Sequence, residues 1–113
     1  MLYEIRNYHI RPDRLEAYTH WAKTEAVPHL SKKLDLVGFW VNTAEAAQIT
    51  GEPMDKLGSA NVTWILRWRD KAQRDEVLPR TFSGAAWDDI FSRLAGGLDN
   101  YLRMEAKFTR SLT

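Results

Sequence analysis

Glu4, Arg6 and Tyr8 are the residues best placed to do chemistry together. Side chains two apart in a strand share a face, so their spacing lines up a carboxylate, a guanidinium and a phenol in one row. With Glu4 as base, and Arg6 and Tyr8 holding a carboxylate or enolate charge, that row suits proton transfer. His9 follows at the end of the run, where a group titrating near neutral pH could act as acid–base or as the axial ligand of a haem. Tyr3 falls on the opposite strand face from Arg6 and Tyr8, so only one of the two sets can line a cavity. The expectation is that Glu4, Arg6 and Tyr8 do so.

Arg103 and Glu105 near the C-terminus can lie beside Glu4 and Arg6 if the first and last strands are neighbours. Opposite charges across adjacent strands contribute roughly 0.2–1 kcal/mol per pair. Such a ladder is either a solvated sheet edge or the charged lining of a cavity that orients a polar ligand group.

Other chemistries are excluded by composition and spacing. The chain has no cysteine, so it has no disulfide, thiolate nucleophile or cysteine-based metal cluster. His20 and His29 fall on opposite faces of one helix, and no H-E-x-x-H, phosphate-binding glycine loop or nucleophile elbow occurs. No metal and no cofactor are therefore expected. A net charge of +1, with basic and acidic residues interleaved, gives no footprint for nucleic acid or an anionic membrane. No apolar run approaches the length of a membrane span. Glu4 and Arg6 stand where a signal peptide would need apolar residues, so a cytoplasmic protein is expected.

The elements that must position these residues are legible from periodicity. Leu2 to Ile10 is rich in Tyr and Ile with no breaker, hence a strand. Leu15, Tyr18, Ala22, Ala26 and Leu30 mark an amphipathic helix from about Pro12 to Lys33, which Pro28 should kink or interrupt. Leu36 to Val41 reads as a buried strand, and residues 43–60 as a long loop with a short helix at Glu45 to Gln48. Asn61 to Arg69 is a third strand. Asp70 can cap a helix ended by Pro79. Ser83 can cap another, striped by Trp87, Ile90, Phe91, Leu94 and Leu98 and closed by Gly96-Gly97. Leu102, Met104, Ala106 and Phe108 then alternate with charged residues in a last strand.

That order is βαββαβ in one domain over residues 1–113, an α+β, ferredoxin-like arrangement with both helices on one sheet face. The other face is left open. Five Trp, four Tyr and four Phe exceed what one small helix–sheet seam should hold, and soluble monomers avoid exposing such a patch. A second copy covering the open face resolves this, giving a homodimer whose two sheets enclose a cavity, a dimeric α+β barrel.

The run Tyr3-Glu4-Ile5-Arg6-Asn7-Tyr8 and the strand Leu36-Val37-Gly38-Phe39-Trp40 resemble the first two strands of the NIPSNAP family, part of the dimeric α+β barrel superfamily. Glu25-Ala26-Val27-Pro28 is similar to its E-G-x-P segment, and Arg74 and Trp87 keep a family separation. The third strand departs: Trp64, Leu66 and Trp68 stand where the family has His, Trp and Tyr. Gly84-Ala85-Ala86-Trp87 lacks the family's proline. The loop from about Ala44 to Gly58 is longer than usual and either caps the barrel mouth or decorates the surface.

The resemblance implies a homodimer with a small-molecule cavity in each half. It places Trp40, Trp64 and Trp68 as cavity walls, with Arg103 added by the charged-lining reading above, whereas the alternation of the third strand alone would turn Trp64 and Trp68 toward the helices. The function it implies is small-molecule binding, extended to cofactor-free isomerase, cyclase or monooxygenase chemistry on an aromatic or polyketide-like compound. The alternatives are a non-catalytic ligand carrier, a haem carrier using His9, and a structural dimeric interaction module.

Overall fold

A computed structural model describes residues 1–113. The β-prone run at the N-terminus forms β1 (Leu2–Ile10), which lies inside a four-stranded antiparallel sheet. β2 (Leu36–Val41), β3 (Val62–Trp68) and β4 (Tyr101–Thr109) complete it in the order β2-β3-β1-β4. The helical layer comprises α1 (Leu15–Trp21), α2 (Val27–Lys33), α3 (Lys71–Ser83) and α4 (Ala85–Ser92). The architecture is the expected α+β, ferredoxin-like one.

α1 and α2 are one helix interrupted by a π-helical turn at Ala22–Ala26. Pro28 lacks an N–H, and its ring would clash with the carbonyl one α-turn earlier. The wider turn just ahead of it lets the helix continue, so the interruption is a change of pitch and not a break. Asp70 caps α3 as expected, its Oδ1 accepting from the Gln73 amide at 2.8 Å. Contrary to expectation, α3 runs through Pro79 to Ser83. Phe82, beyond Pro79, packs edge-on against Trp64 and Trp87. Phe82 is partly buried there, so its packing offsets part of the roughly 3 kcal/mol that an internal proline costs.

Two further expectations fail locally. Ser83 does not cap α4; its hydroxyl reaches back to the Arg80 carbonyl, and Gly84 precedes α4 without a side-chain cap. Glu45 to Gln48 takes no helix, because Thr43 engages both the amide and the carboxylate of Glu45 and competes with helical pairing. Leu98 is exposed, since α4 stops at Ser92 and the chain turns through left-handed Gly96 and Gly97, φ 87° and 50°.

The register decides what each face holds. Glu4, Arg6 and Tyr8 pair with Leu66, Trp64 and Val62 on one side, and with Phe108, Ala106 and Met104 on the other. All of these point toward the helices. Trp64 and Trp68 are core residues, so the alternation of β3 was the better guide and the face implied by the resemblance is corrected. Trp64 packs against Phe39, Phe82 and Tyr8, and Trp21 against Trp87, Phe91 and Tyr18. One seam therefore holds most of the aromatic side chains, and their number does not by itself call for a second copy.

The opposite face carries Tyr3, Ile5, Asn7 and His9 from β1, with Arg103, Glu105 and Lys107 paired to the last three. Arg103 and Glu105 thus lie on the other face from Glu4 and Arg6, and the expected ladder between them does not form. A one-residue offset reverses every side chain in a strand. Residues 42–60 pass over part of this face, tied down where Arg103 Nη2 meets Asp55 Oδ2 at 2.5 Å.

Candidate functional site

The site begins with Glu4, which is fully buried in the middle of the sheet. Arg74 from α3 approaches as a fork, Nε to Oε1 and Nη2 to Oε2, both at 3.0 Å. Trp68 Nε1 donates to Oε1 at 3.0 Å, and Arg6 Nη1 to Oε2 at 2.6 Å. Burial pushes the Glu4 carboxyl up, but the hydrogen bonds from Arg74 and Arg6 outweigh it and hold it below its ordinary 4.5. Each oxygen already accepts two hydrogen bonds. Glu4 is therefore held as an anion by four donors, the arrangement of a counter-ion that positions its neighbours.

Arg6 is positioned by this anion. Its Nε donates to Tyr8 Oη at 2.9 Å, and its Cζ sits 5.2 Å from the Trp64 ring centroid and 5.5 Å from that of Tyr8. Nη2 takes no acceptor from the chain. Tyr8 Oη accepts from Arg6, which leaves its own proton for another acceptor. Burial raises the phenol above its ordinary value despite Arg6, so Tyr8 is a donor throughout the physiological range. The buried Trp64 indole N–H also lacks an acceptor. At Glu4 itself two guanidiniums face one carboxylate, while Arg74 also reaches the exposed Asp75 at 3.2 Å.

Above Arg6 and Tyr8 lies a pocket of about 310 Å³ between the sheet and α4, walled by Phe82, Trp87, Phe91, Tyr101 and Met104. A buried cavity of about 30 Å³ adjoins it, bounded by Tyr8, Tyr18, Trp64 and Tyr101. Burial also pushes the Tyr18 and Tyr101 phenols well up. The arrangement can hold a flat apolar body against aromatic rings and an oxyanion against fixed donors.

No family model matches the chain, and no curated protein matches it. Solved structures do. A NIPSNAP family protein of unknown function from Agrobacterium tumefaciens is 19% identical, aligned over 96% of this chain and 86% of its own, with a TM-score of 0.72. An uncharacterised NIPSNAP-like domain protein from Burkholderia xenovorans is 13% identical over 99% of this chain and 85% of its own, with a TM-score of 0.75. The fold is the one NIPSNAP proteins share. A putative antibiotic biosynthesis monooxygenase from Bacteroides thetaiotaomicron is similar more loosely, 16% identical over 99% of this chain and 90% of its own, at a TM-score of 0.58. Identities this low carry architecture and not activity.

Within this NIPSNAP fold the expected site residues separate into two groups. Glu4, Arg6, Tyr8, Trp64 and Trp68 come together on the helix side of the sheet. His9, Trp40 and Arg103 lie on the other face and cannot touch the same molecule. Trp40 is half exposed, and its ring covers Gly38, where a Cβ would fall 2.3 Å from it. His9 and Arg103 border a polar hollow of about 600 Å³ under the long loop, with Asn7, Thr63 and Lys107. Arg74 and Tyr101 were not legible as site residues. Arg74 meets Glu4 across 70 positions, a distance no local pattern spans. Phe91 was visible only as part of a helix stripe, a signal shared by any core, and Trp87 as part of that stripe and of the weak match in spacing to Arg74. No three of the His, Asp and Glu side chains converge closely enough to hold a metal ion. No helix is long and apolar enough to cross a membrane.

Proposed function

We propose that this NIPSNAP-fold chain binds a small, partly aromatic compound bearing a carboxylate, phenolate or enolate oxygen. The ring system lies among Trp87, Phe91, Tyr101 and Met104, and the oxygen lies against Arg6 and Tyr8. The observation that carries this reading is the Arg6 guanidinium, held by Glu4 at the floor of an aromatic pocket with Nη2 open. A charge-assisted hydrogen bond of that kind contributes about 1.5–3 kcal/mol, a factor of roughly 10 to 150 in affinity.

With Glu4 fully engaged, Arg6 and Tyr8 supply the anion-holding donors, and the one carboxylate on the pocket wall without a partner in the chain is the exposed Asp88. The chemistry the site suits is cofactor-free, on a compound acidic enough to arrive ionised, such as a polyketide-like enol. Titration of 1-naphthoate by calorimetry tests the binding. Arg6→Ala should weaken it at least tenfold and Arg6→Lys less so, while neutral 1-naphthalenemethanol should bind both variants alike. Equal affinity of the parent protein and Arg6→Ala for 1-naphthoate would sink the proposal.

The same reading includes a homodimer joined through the sheet faces that carry no helices. It is supported by the resemblance and by half-exposed Trp40 on that face, with Ile5 and Ile65 beside it. Residues 42–60 cover the part of this face around Arg103, so the dimer contact uses the rest of the face or displaces the loop. Sedimentation equilibrium giving a monomer at micromolar concentration would remove this part.

A further inference from the structure

A second groove opens where α1 and the π-turn pass the edge strand β2. It encloses about 320 Å³, with walls from Tyr18, Ala22, Val27, Phe39 and Val41. Ala22 is one reason the space exists. Elsewhere on this buried helix face stand Tyr18, Trp21 and Leu30, whereas Ala22 offers only a methyl group. β2 has no strand beyond it, so the groove stays open along the sheet edge, with Val41 half exposed at its rim.

One charged side chain borders this space, Lys23. It is exposed, stands one turn from both Thr19 and Val27, and forms no ion pair within the chain. An apolar trough closed by a single free ammonium is complementary to a molecule with an apolar tail and one negative head. We propose that this groove binds a medium-chain monocarboxylate, with its acyl chain along Phe39, Val27 and Val41 and its carboxylate on Lys23 Nζ. The groove shares no lining residue with the Arg6 pocket, so this inference does not rest on the reading above.

Calorimetry with hexanoate, octanoate and decanoate, combined with amide chemical shifts, tests it. Each added methylene should tighten binding about fourfold until the groove is full. Lys23→Glu should weaken octanoate about tenfold, because reversal removes an attraction and adds a repulsion, while 1-octanol should bind the two proteins equally. Val41→Trp should block both. Shifts should concentrate at Ala22, Lys23, Phe39 and Val41. The proposal is overturned if affinity ignores chain length, if Lys23→Glu binds octanoate as well as the parent protein, or if the shifts gather instead around Arg6 and Tyr101.

Discussion

Glu4 sits where an unpaired carboxylate could not stay charged, and two arginines with one indole make its charge tolerable. Glu4→Gln keeps the shape and removes the charge, leaving Arg6 with no carboxylate partner and Arg74 with only the exposed Asp75. Breaking a buried pair in this way costs about 3–5 kcal/mol, so urea denaturation should show a stability loss of that order. The pH dependence has a definite sign. Glu4 has a lowered folded-state pKa, so its contribution is present above the unfolded value near 4.5 and is lost as pH falls through the folded value below it. Glu4→Gln should flatten that acid limb. An unchanged limb would mean that other carboxylates carry it. The row Glu4, Arg6, Tyr8 was legible at this scale because period-two spacing is local. Its roles were not, because the partners that fix Glu4 arrive from α3 and β3.

At the scale of elements, β1 and β4 were read correctly from breaker-free β-rich sequence and alternation; β3 was read correctly as a strand, but the resemblance turned its tryptophans to the wrong face, where its own alternation pointed the right way. Misreadings gathered where tertiary packing overrides a local stop. Pro79 ends no helix where Phe82 packs against the core beyond it, and Ser83 is passed over as a cap. The one cap that was read correctly gives a clean test. Asp70→Ala removes the acceptor of the Gln73 amide and should cost about 1 kcal/mol, measured as a lower thermal midpoint. Because α3 also carries Arg74, the same substitution should weaken 1-naphthoate binding only slightly, as the guanidinium fork fixes Arg74 independently of the cap.

The whole molecule is a slab, 38 × 37 × 19 Å, with one helical layer on one sheet. Its two candidate hollows between these layers lie toward opposite edges of the sheet. The aromatic pocket by β4 has a fixed floor and a looser outer wall, since Met104 and Leu98 are at least half exposed. Met104→Trp should therefore change which ring sizes bind while shifting stability by no more than about 0.5 kcal/mol. A titration series from benzoate to anthracene carboxylate, with thermal melts of the same variant, checks both halves. The asymmetry between floor and wall has a consequence for descent. If Arg6 holds the ligand as proposed, a change at Glu4 or Arg6 injures folding and recognition together, so drift there is purged whatever the ligand. A change at Met104 or Leu98 leaves folding intact and is free to be tried. Lineages built on this scaffold should therefore part ways in what they recognise through α4 and the outer strand, while the charged row of β1 is inherited intact.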